Sequence, residues 1–422
     1  MHVDIIDNFG DFEAVRRSWD RVYAADVDAN LFLSWNWMSK WLHEVKTDWV
    51  ILAAKPDRNA KTYVGFFPLR LNVRPAKRGG CYTEVVMAGT SFADYTGIIL
   101  EPDYAEAAID AFAEHIHAMN WGILQLNSMR IRPAHHERLI RHFPATHFDV
   151  LLNRPNRDSA GVDNSICPFV PLPDTWDIYL STLSANTRQK LRRLVRKLDN
   201  DPGLRVSLTD ADTVEQSIET LVDLWSQKWS EHKGENLGAI RENIRIMLRH
   251  YSDLGILYMP VLWRGAGPVG VLASLIDWQK RTMHFFAGAR DQTFSNPQPG
   301  LLLHAYSIRH AIDMGLTRYD FLRGNERYKY SFGSIERQIS NTVIRVKPQP
   351  RKQAVLDRRG IPKALALTKR QAASGKRAEA ETGYRQILSL DPACLTAVLG
   401  YAELKAARGQ LTGTDCAVRW TS

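Results

Sequence analysis

Cysteine is scarce in this sequence: Cys81, Cys167, Cys394 and Cys416 are the only four in 422 residues, far apart and in no CxxC or Cys/His cluster. That spacing excludes a disulfide framework and a structural zinc site, suits a reducing cytoplasm, and leads us to expect no metal. Long apolar runs are missing too. Nothing approaches the roughly 20 consecutive apolar residues that cross a bilayer, and the opening MHVDIIDNFGDF has neither the basic stretch nor the apolar core of a leader. A cytoplasmic protein with no transmembrane segment is therefore expected. Acidic residues are outnumbered, 46 Asp and Glu against 55 Lys and Arg, and the resulting charge of +9 favours anionic partners without choosing among them.

The remaining composition, 45% apolar and 24% charged, is that of a soluble globular chain, long enough for two or three domains. Short apolar runs at 50–54, 64–71, 85–87 and 97–100 are predicted strands. A helix over 104–119 follows, with Ala108, Ile109, Phe112, Ile116 and Met119 along one stripe, and then a strand at 122–126. The His-, Arg-, Asn- and Pro-rich stretch 130–163 is predicted to hold a short helix and a connection. Two long helical patterns, 184–200 and 213–233, precede a meander of strands at 256–263, 269–277 and 281–289. An apolar helix at 300–314, a C-capping Gly315 and a strand at 318–322 complete this part. Both halves share an order of strands, helix and strand, as an internal duplication would produce; chance recurrence of a common order is the alternative.

Beyond a basic, Pro-containing linker at 348–361, residues 362–422 become helical. The run GKRAEAETGYRQILSLDP, with Gly375 at a turn, Ala380 and Tyr384 on the second helix and Pro392 closing it, resembles one tetratricopeptide repeat. An ordinary helical hairpin is the plainer reading. Such repeats bury their faces only when about three are stacked, so one and a half must dock on the rest of the chain or on a protein partner.

Chemistry concentrates between 291 and 334. Pro299-Gly300 opens a helix, with Leu301 in its first turn, and so exposes amides suited to phosphate oxygens; a buried helix start is the bland alternative. The strand after it ends in Arg323-Gly324-Asn325-Glu326-Arg327-Tyr328-Lys329, charges crowded where α/β proteins tend to bind ligands, although a solvated loop has the same composition. Lys329 suits a phosphate or a developing oxyanion, and Glu326 suits a proton taken from an attacking amine or hydroxyl. Asp94 is a further candidate base or a turn former. His284 is a second-rank proton carrier, and His304, inside an apolar helix, is expected to pack. Trp35, Trp37 and Trp41 have the helical spacing of core residues more than of a sugar-stacking platform.

Pro299-Gly300, Tyr319-Asp320-Phe321, Arg323-Gly324, Glu326 and Tyr328-Lys329 through Phe332-Gly333 together resemble the bacterial BioF2-like acetyltransferase family. This family includes CelD-type proteins of cellulose and exopolysaccharide biosynthesis and is related to the FemABX peptidyltransferases. FLSWNWMSKW at 32–41, Gly65 to Leu69, Asp94-Tyr95 and the basic helix after Ser184 agree, so the resemblance covers about 31–346.

What the resemblance implies is an α/β fold of two GNAT-like halves, 1–160 and 161–347, with no permanently bound cofactor. An acyl group would pass from acetyl-CoA or another acyl-CoA to an amine or hydroxyl, with a small molecule or glycan as acceptor. Lys329, Glu326 and Asp94 would be catalytic; Pro299, Gly300, Leu301, Arg323 and Gly324 would bind the carrier. The sequence RDQTFSNPQPG departs from the usual GNAT pyrophosphate signature. A charged-tRNA donor of the FemABX type and a non-catalytic adaptor working through the helical tail are the alternatives. Helix 184–200, with Leu191, Leu194, Val195 and Leu198 on one face and Arg188, Lys190, Arg192, Arg193, Arg196 and Lys197 elsewhere, would face such a tRNA, an anionic membrane surface or plain solvent.

Overall fold

The computed structural model describes residues 1–45, 47–77, 79–90, 92–153, 156–233, 237–347 and 355–406. The first half runs β1 (His2–Ile6), α1 (Phe9–Ala14), α2 (Arg16–Ala25), α3 (Trp35–Glu44), β2 (Asp48–Lys55), β3 (Gly65–Pro75), β4 (Cys81–Met87) and β5 (Ile99–Leu100). It continues with α4 (Ala105–Ala118), β6 (Ile123–Met129), α5 (Pro133–Arg141) and β7 (Phe148–Leu151). Apolar residues recur in α4 at the spacing that keeps one face inward, and Ala108, Ile109, Phe112, Ala113 and Ile116 are all buried against the sheet. Strands β2, β3 and β4 form an antiparallel meander, and β6 returns after α4 to pair parallel with β4.

The second half repeats this plan. It contains β8 (Ile166–Pro171), α6 (Trp176–Thr182), α7 (Ala185–Asn200), β9 (Leu204–Leu208), α8 (Val214–Lys233), α9 (Leu237–Asp253), β10 (Leu257–Tyr258) and β11 (Pro260–Arg264). Then come β12 (Gly267–Asp277), β13 (Thr282–Arg290), α10 (Pro299–Asp313), β14 (Arg318–Asp320), a 3-10 turn (Arg327–Phe332), β15 (Ile335–Gln338) and β16 (Ser340–Val346). β11, β12 and β13 form the meander, and β14 returns after α10 parallel to β13. Gly315 ends α10 at φ +72°, a left-handed conformation that a side chain resists, while Leu316 N–H closes onto the Ala311 carbonyl. The shared order of meander, helix and parallel strand is thus present in three dimensions.

The boundary between halves is not a clean cut. Each sheet has eight strands among the described residues, ordered β1-β2-β3-β4-β6-β16-β7 and β15-β8-β14-β13-β12-β11-β9, with β5 on β3 and β10 on β12. β16, at the end of the second half, therefore lies inside the first sheet, between β6 and β7. The division at 160/161 gives way here because two neighbouring strands complete β16's hydrogen bonding in the sheet it enters. One apolar cluster also spans both halves: Phe12, Trp19, Trp35, Trp37 and Trp41 pack with Ile218, Leu221, Val271 and Leu275. The tryptophans are core, and burying each large side chain stabilises the joint by about 1.5–3 kcal/mol.

The helical tail docks on the first half. Its helices α11 (Ile361–Ala373), α12 (Arg377–Leu390) and α13 (Leu395–Ala406) gather Ala364, Tyr384, Ile387 and Ala397 around Cys81 and Leu356. Gln386 pairs with both backbone groups of Cys81 at 2.7 Å, and Lys363 pairs with Asp48 at 2.9 Å. The expected linker is packed where it is described: Leu356 is buried and Thr83 N–H bonds the Val355 carbonyl. The end of the tail, 407–422, lies outside the described residues, as does 348–354.

Candidate functional site

β13 and β14 stay paired for three residues only, the last match being His284 with Asp320. Beyond it they diverge, and β13 also bulges: Ser274 pairs with Phe285 and Ala273 with Ala287, leaving Phe286 as the extra residue. A bulge re-aims the residues around it. Successive residues therefore face different spaces, Phe285 lining one cavity and Phe286 another.

The first cavity, about 720 Å³, lies in the gap between these strands. Leu272, Phe285, Gly288 and Ala289 form one wall, Leu224 and Trp225 of α8 another, and Gly300, Leu301 and His304 of α10 a third. Pro299 occupies the first helical position, its ring against Gly270, and Gln298 places no side chain on the helix start. The amides of Gly300 and Leu301 thus remain without helical acceptors at the positive end of the dipole. Lys190, Arg290 and Arg327 line the same cavity, and among the described residues none of the three has an ion-pair or side-chain hydrogen-bond partner. Unpaired cations beside free amides form a seat for phosphate oxygens.

His304 was expected only to pack, yet it lines this cavity, stacks on Tyr328 and shares a 2.9 Å hydrogen bond through Nδ1 with the Tyr319 hydroxyl. Burial, with the nearby Lys329 charge adding to it, pushes its pKa down to about 3, so the ring is neutral. The apolar helix periodicity that hid His304 also put it here: the face that packs on the sheet is the face that meets the gap.

The second cavity, about 490 Å³, is lined by Thr90, Phe92, Ala93, Asp94, Thr96, Asn127 and Ser128 of the first half and by Met247, Phe286 and Arg323 of the second. Asp94 Oδ1 accepts from Arg323 Nε at 2.6 Å across the halves. The neighbouring Tyr95 hydroxyl donates to Asp320 at 2.8 Å, and Asn341 of β16 holds Ser128 N–H at 2.9 Å. Segments 285–286 and 323–328 supply lining residues to both cavities.

The sequence-derived set is divided by this geometry. Gly300 and Leu301 meet the first cavity, while Asp94 and Arg323 meet the second, so Arg323 is not beside the helix start as expected. Lys329 reaches neither. Its side chain is 3% exposed, and Nζ is held by the carbonyls of Arg323 at 2.7 Å and Gly324 at 2.9 Å and by Glu326 at 2.8 Å. Lys329 is therefore corrected from transfer chemistry to a clamp, since a fully engaged ammonium offers no donor to a substrate, and Glu326, which lines neither cavity, serves as its counter-ion. Gly324 is structural as well: at φ +99°, a Cβ there would sit 2.6 Å from the Glu326 carboxylate. Arg327 and Tyr328, the lysine's neighbours, face the cavity in its place.

His284 is buried between Phe32 and Tyr95, and burial lowers its pKa against the pull of Asp320. In α7, Leu191 and Leu194 pack inward, Lys190 lines the first cavity, Lys197 holds Asn296 at 3.0 Å, and Arg192, Arg193 and Arg196 are exposed. No helix among the described residues is long and apolar enough to cross a membrane, and none of their His, Cys, Asp and Glu side chains group in threes that could hold a metal ion.

Residues 185–330 match the family described as acetyltransferase (GNAT) domain. The crystal structure of FemX superimposes with a TM-score of 0.55 at 11% identity, covering 81% of this chain and 97% of that one. A conserved protein of unknown function from Bacteroides thetaiotaomicron gives 0.49 at 12% identity over 82% of this chain and 100% of its own. A tandem GNAT protein from the clavulanic acid biosynthesis pathway gives 0.43 at 10% over 82% and 100%. No curated protein matches the sequence. At such identities the FemX likeness establishes fold alone, and with the repeated plan of the two halves it makes this a tandem GNAT-like chain whose 185–330 region matches an acetyltransferase domain.

Proposed function

We propose that the chain is an acyltransferase that takes its acyl group from a coenzyme A thioester held in the first cavity and passes it to an acceptor in the second. The observation that carries this reading is the convergence of free α10 amides with unpaired Lys190, Arg290 and Arg327 on one cavity between diverging strands. The acceptor amine or hydroxyl attacks the acyl carbonyl carbon, the new C–N or C–O bond forms, and the C–S bond breaks. Asp94 accepts the acceptor's proton and releases it to solvent, and the departing thiolate takes up one proton from solvent to leave as a thiol. A role in polysaccharide or envelope synthesis, with the tail as a partner module, is the wider setting that the BioF2-like resemblance suggests.

Exposed Arg192, Arg193 and Arg196 outside the cavity favour a second reading, in which the acyl group arrives as an aminoacyl ester on tRNA. Thermal shift and calorimetry with acetyl-CoA, free CoA and charged tRNA separate the two, because only a ligand of the native state raises its melting point. Binding of CoA, weakened by Arg290→Glu, is the expected result. Binding of tRNA alone supports the second reading, and binding of neither leaves a non-catalytic adaptor.

A further inference from the structure

We propose that the second cavity selects an acceptor that is a zwitterion, an amine with a carboxylate one or two carbons away, as in a free amino acid. This deepens the transferase reading and rests on it.

The cavity's charged centre is one ion pair, and that pair is only partly used. Asp94 Oδ1 and Arg323 Nε meet at 2.6 Å, with Arg323 Nη1 a further 3.4 Å from Ser128 Oγ. Among the described residues, Asp94 Oδ2 and Arg323 Nη2 have no hydrogen-bond partner. A carboxylate has about four lone-pair sites and a guanidinium five N–H donors, so each member retains unused capacity. The side chains are 18% and 33% exposed, buried enough for direction to matter and open enough to be reached.

Such a centre is neutral as a whole. A simple amine is drawn by Asp94 and repelled by Arg323, and a simple anion meets the reverse, so neither gains much. A guest carrying both charges at the spacing of the pair gains on both sides. Its ammonium lies at Asp94, where it loses the proton that must leave before attack, and its carboxylate lies in the remaining fork of Arg323. Phe92, Phe286 and Met247 supply an apolar wall for a side chain. The pair is also held from behind: Tyr95 is tied to Asp320, and the Arg323 carbonyl is gripped by Lys329. The product is an N-acyl amino acid: nitrogen, one proton already given to Asp94, bonds to the acyl carbon, the C–S bond breaks, and the second nitrogen proton passes to the departing sulfur, which leaves as a thiol.

The test is calorimetry on the full-length protein with a panel of L-amino acids, their methyl esters, the corresponding decarboxylated amines and D-glucosamine, with free CoA titrated in parallel. At least one amino acid should bind at least about tenfold more tightly than its ester and its amine, the range expected when a charged hydrogen-bonding partner is deleted. Asp94→Asn should weaken that binding about tenfold or more, and Arg323→Gln should abolish the preference for acid over ester, with CoA affinity within about twofold in both. Equal binding of acid and ester, binding of glucosamine alone, or no amino acid binding overturns the proposal. Selective amino acid binding without any CoA binding instead removes the donor reading and leaves the cavity's selectivity standing.

Discussion

Replacing Lys329 with methionine keeps the aliphatic stem and removes the ammonium, and the structure gives the consequence a size. Two carbonyls, those of Arg323 and Gly324, lose a charged donor in a place where Lys329 is 3% exposed and water cannot easily replace it. Hydrogen bonds to charged groups contribute about 1.5–3 kcal/mol each, so the two together set a scale of about 3–6 kcal/mol before relaxation. The third contact joins a buried oxygen, Glu326 Oε2, but on a side chain that is 40% exposed overall, so the carboxylate can turn toward water once the ammonium is gone and this contact adds less. We expect a loss of about 3–5 kcal/mol in urea unfolding, accompanied by faster amide exchange across 323–332. CoA and acceptor affinity should fall together, since the clamped segment supplies Arg323 to one cavity and Arg327 and Tyr328 to the other. A Lys329→Met protein within about 1 kcal/mol of the parent, binding both ligands normally and yet inactive, would refute this reasoning and return the lysine to the chemistry.

Reversing both Arg290 and Arg327 to glutamate should weaken CoA binding by well over tenfold at low ionic strength and flatten its salt dependence, read by calorimetry at two salt concentrations; unchanged affinity places the phosphates elsewhere. Gln386→Leu leaves the buried backbone N–H and carbonyl of Cys81 without partners and should cost about 2 kcal/mol or more, with exchange protection lost at Cys81 and in α12; full protection there would show that the tail's apolar contacts suffice. His304 holds a folded pKa of about 3 against an ordinary 6.5, so below pH 6.5 the unfolded chain binds a proton that the folded chain refuses. Stability from this group is complete above pH 6.5 and declines as pH falls toward 3, by up to about 1.4 kcal/mol per unit. His304→Phe should show a shallower decline between pH 6.5 and 5, and an identical slope would mean the ring protonates freely.

Local pattern made the repeated core of each half legible. The meander, α10 and β14 emerge close to the predicted spans because their signals are short-range: alternation, a Pro at the helix start, a Gly at its end. α9 has no counterpart among the predicted elements, although Ile244, Leu248 and Tyr251 carry a helical stripe that packs on the joint between halves. β16 is different in kind. Its alternation can indicate a strand, but nothing in NTVIRV names a sheet whose other strands lie near the start of the chain. The site divides the same way. Charge type marked the 323–329 segment as special, yet whether a lysine points toward a cavity or back at carbonyls depends on a turn of one residue, so Arg327 and Tyr328 took the place expected of Lys329. Asp94 and Arg323 were each visible, and only the packing of the halves makes them a pair.

The insertion of β16 between β6 and β7 dictates an order of events during synthesis. A nascent chain can build β2, β3 and β4 as soon as they leave the ribosome and add β6 beside β4, but Ile123 finds the partner on its other side only when Arg345 has been made. Until then β6 and β7 present open edges, which is the form in which sheets capture neighbouring chains. Closure of the first sheet is therefore a late, long-range step, of the kind that slows folding in general. A gene fragment ending before residue 340 should yield insoluble protein even though it encodes every other strand of that sheet.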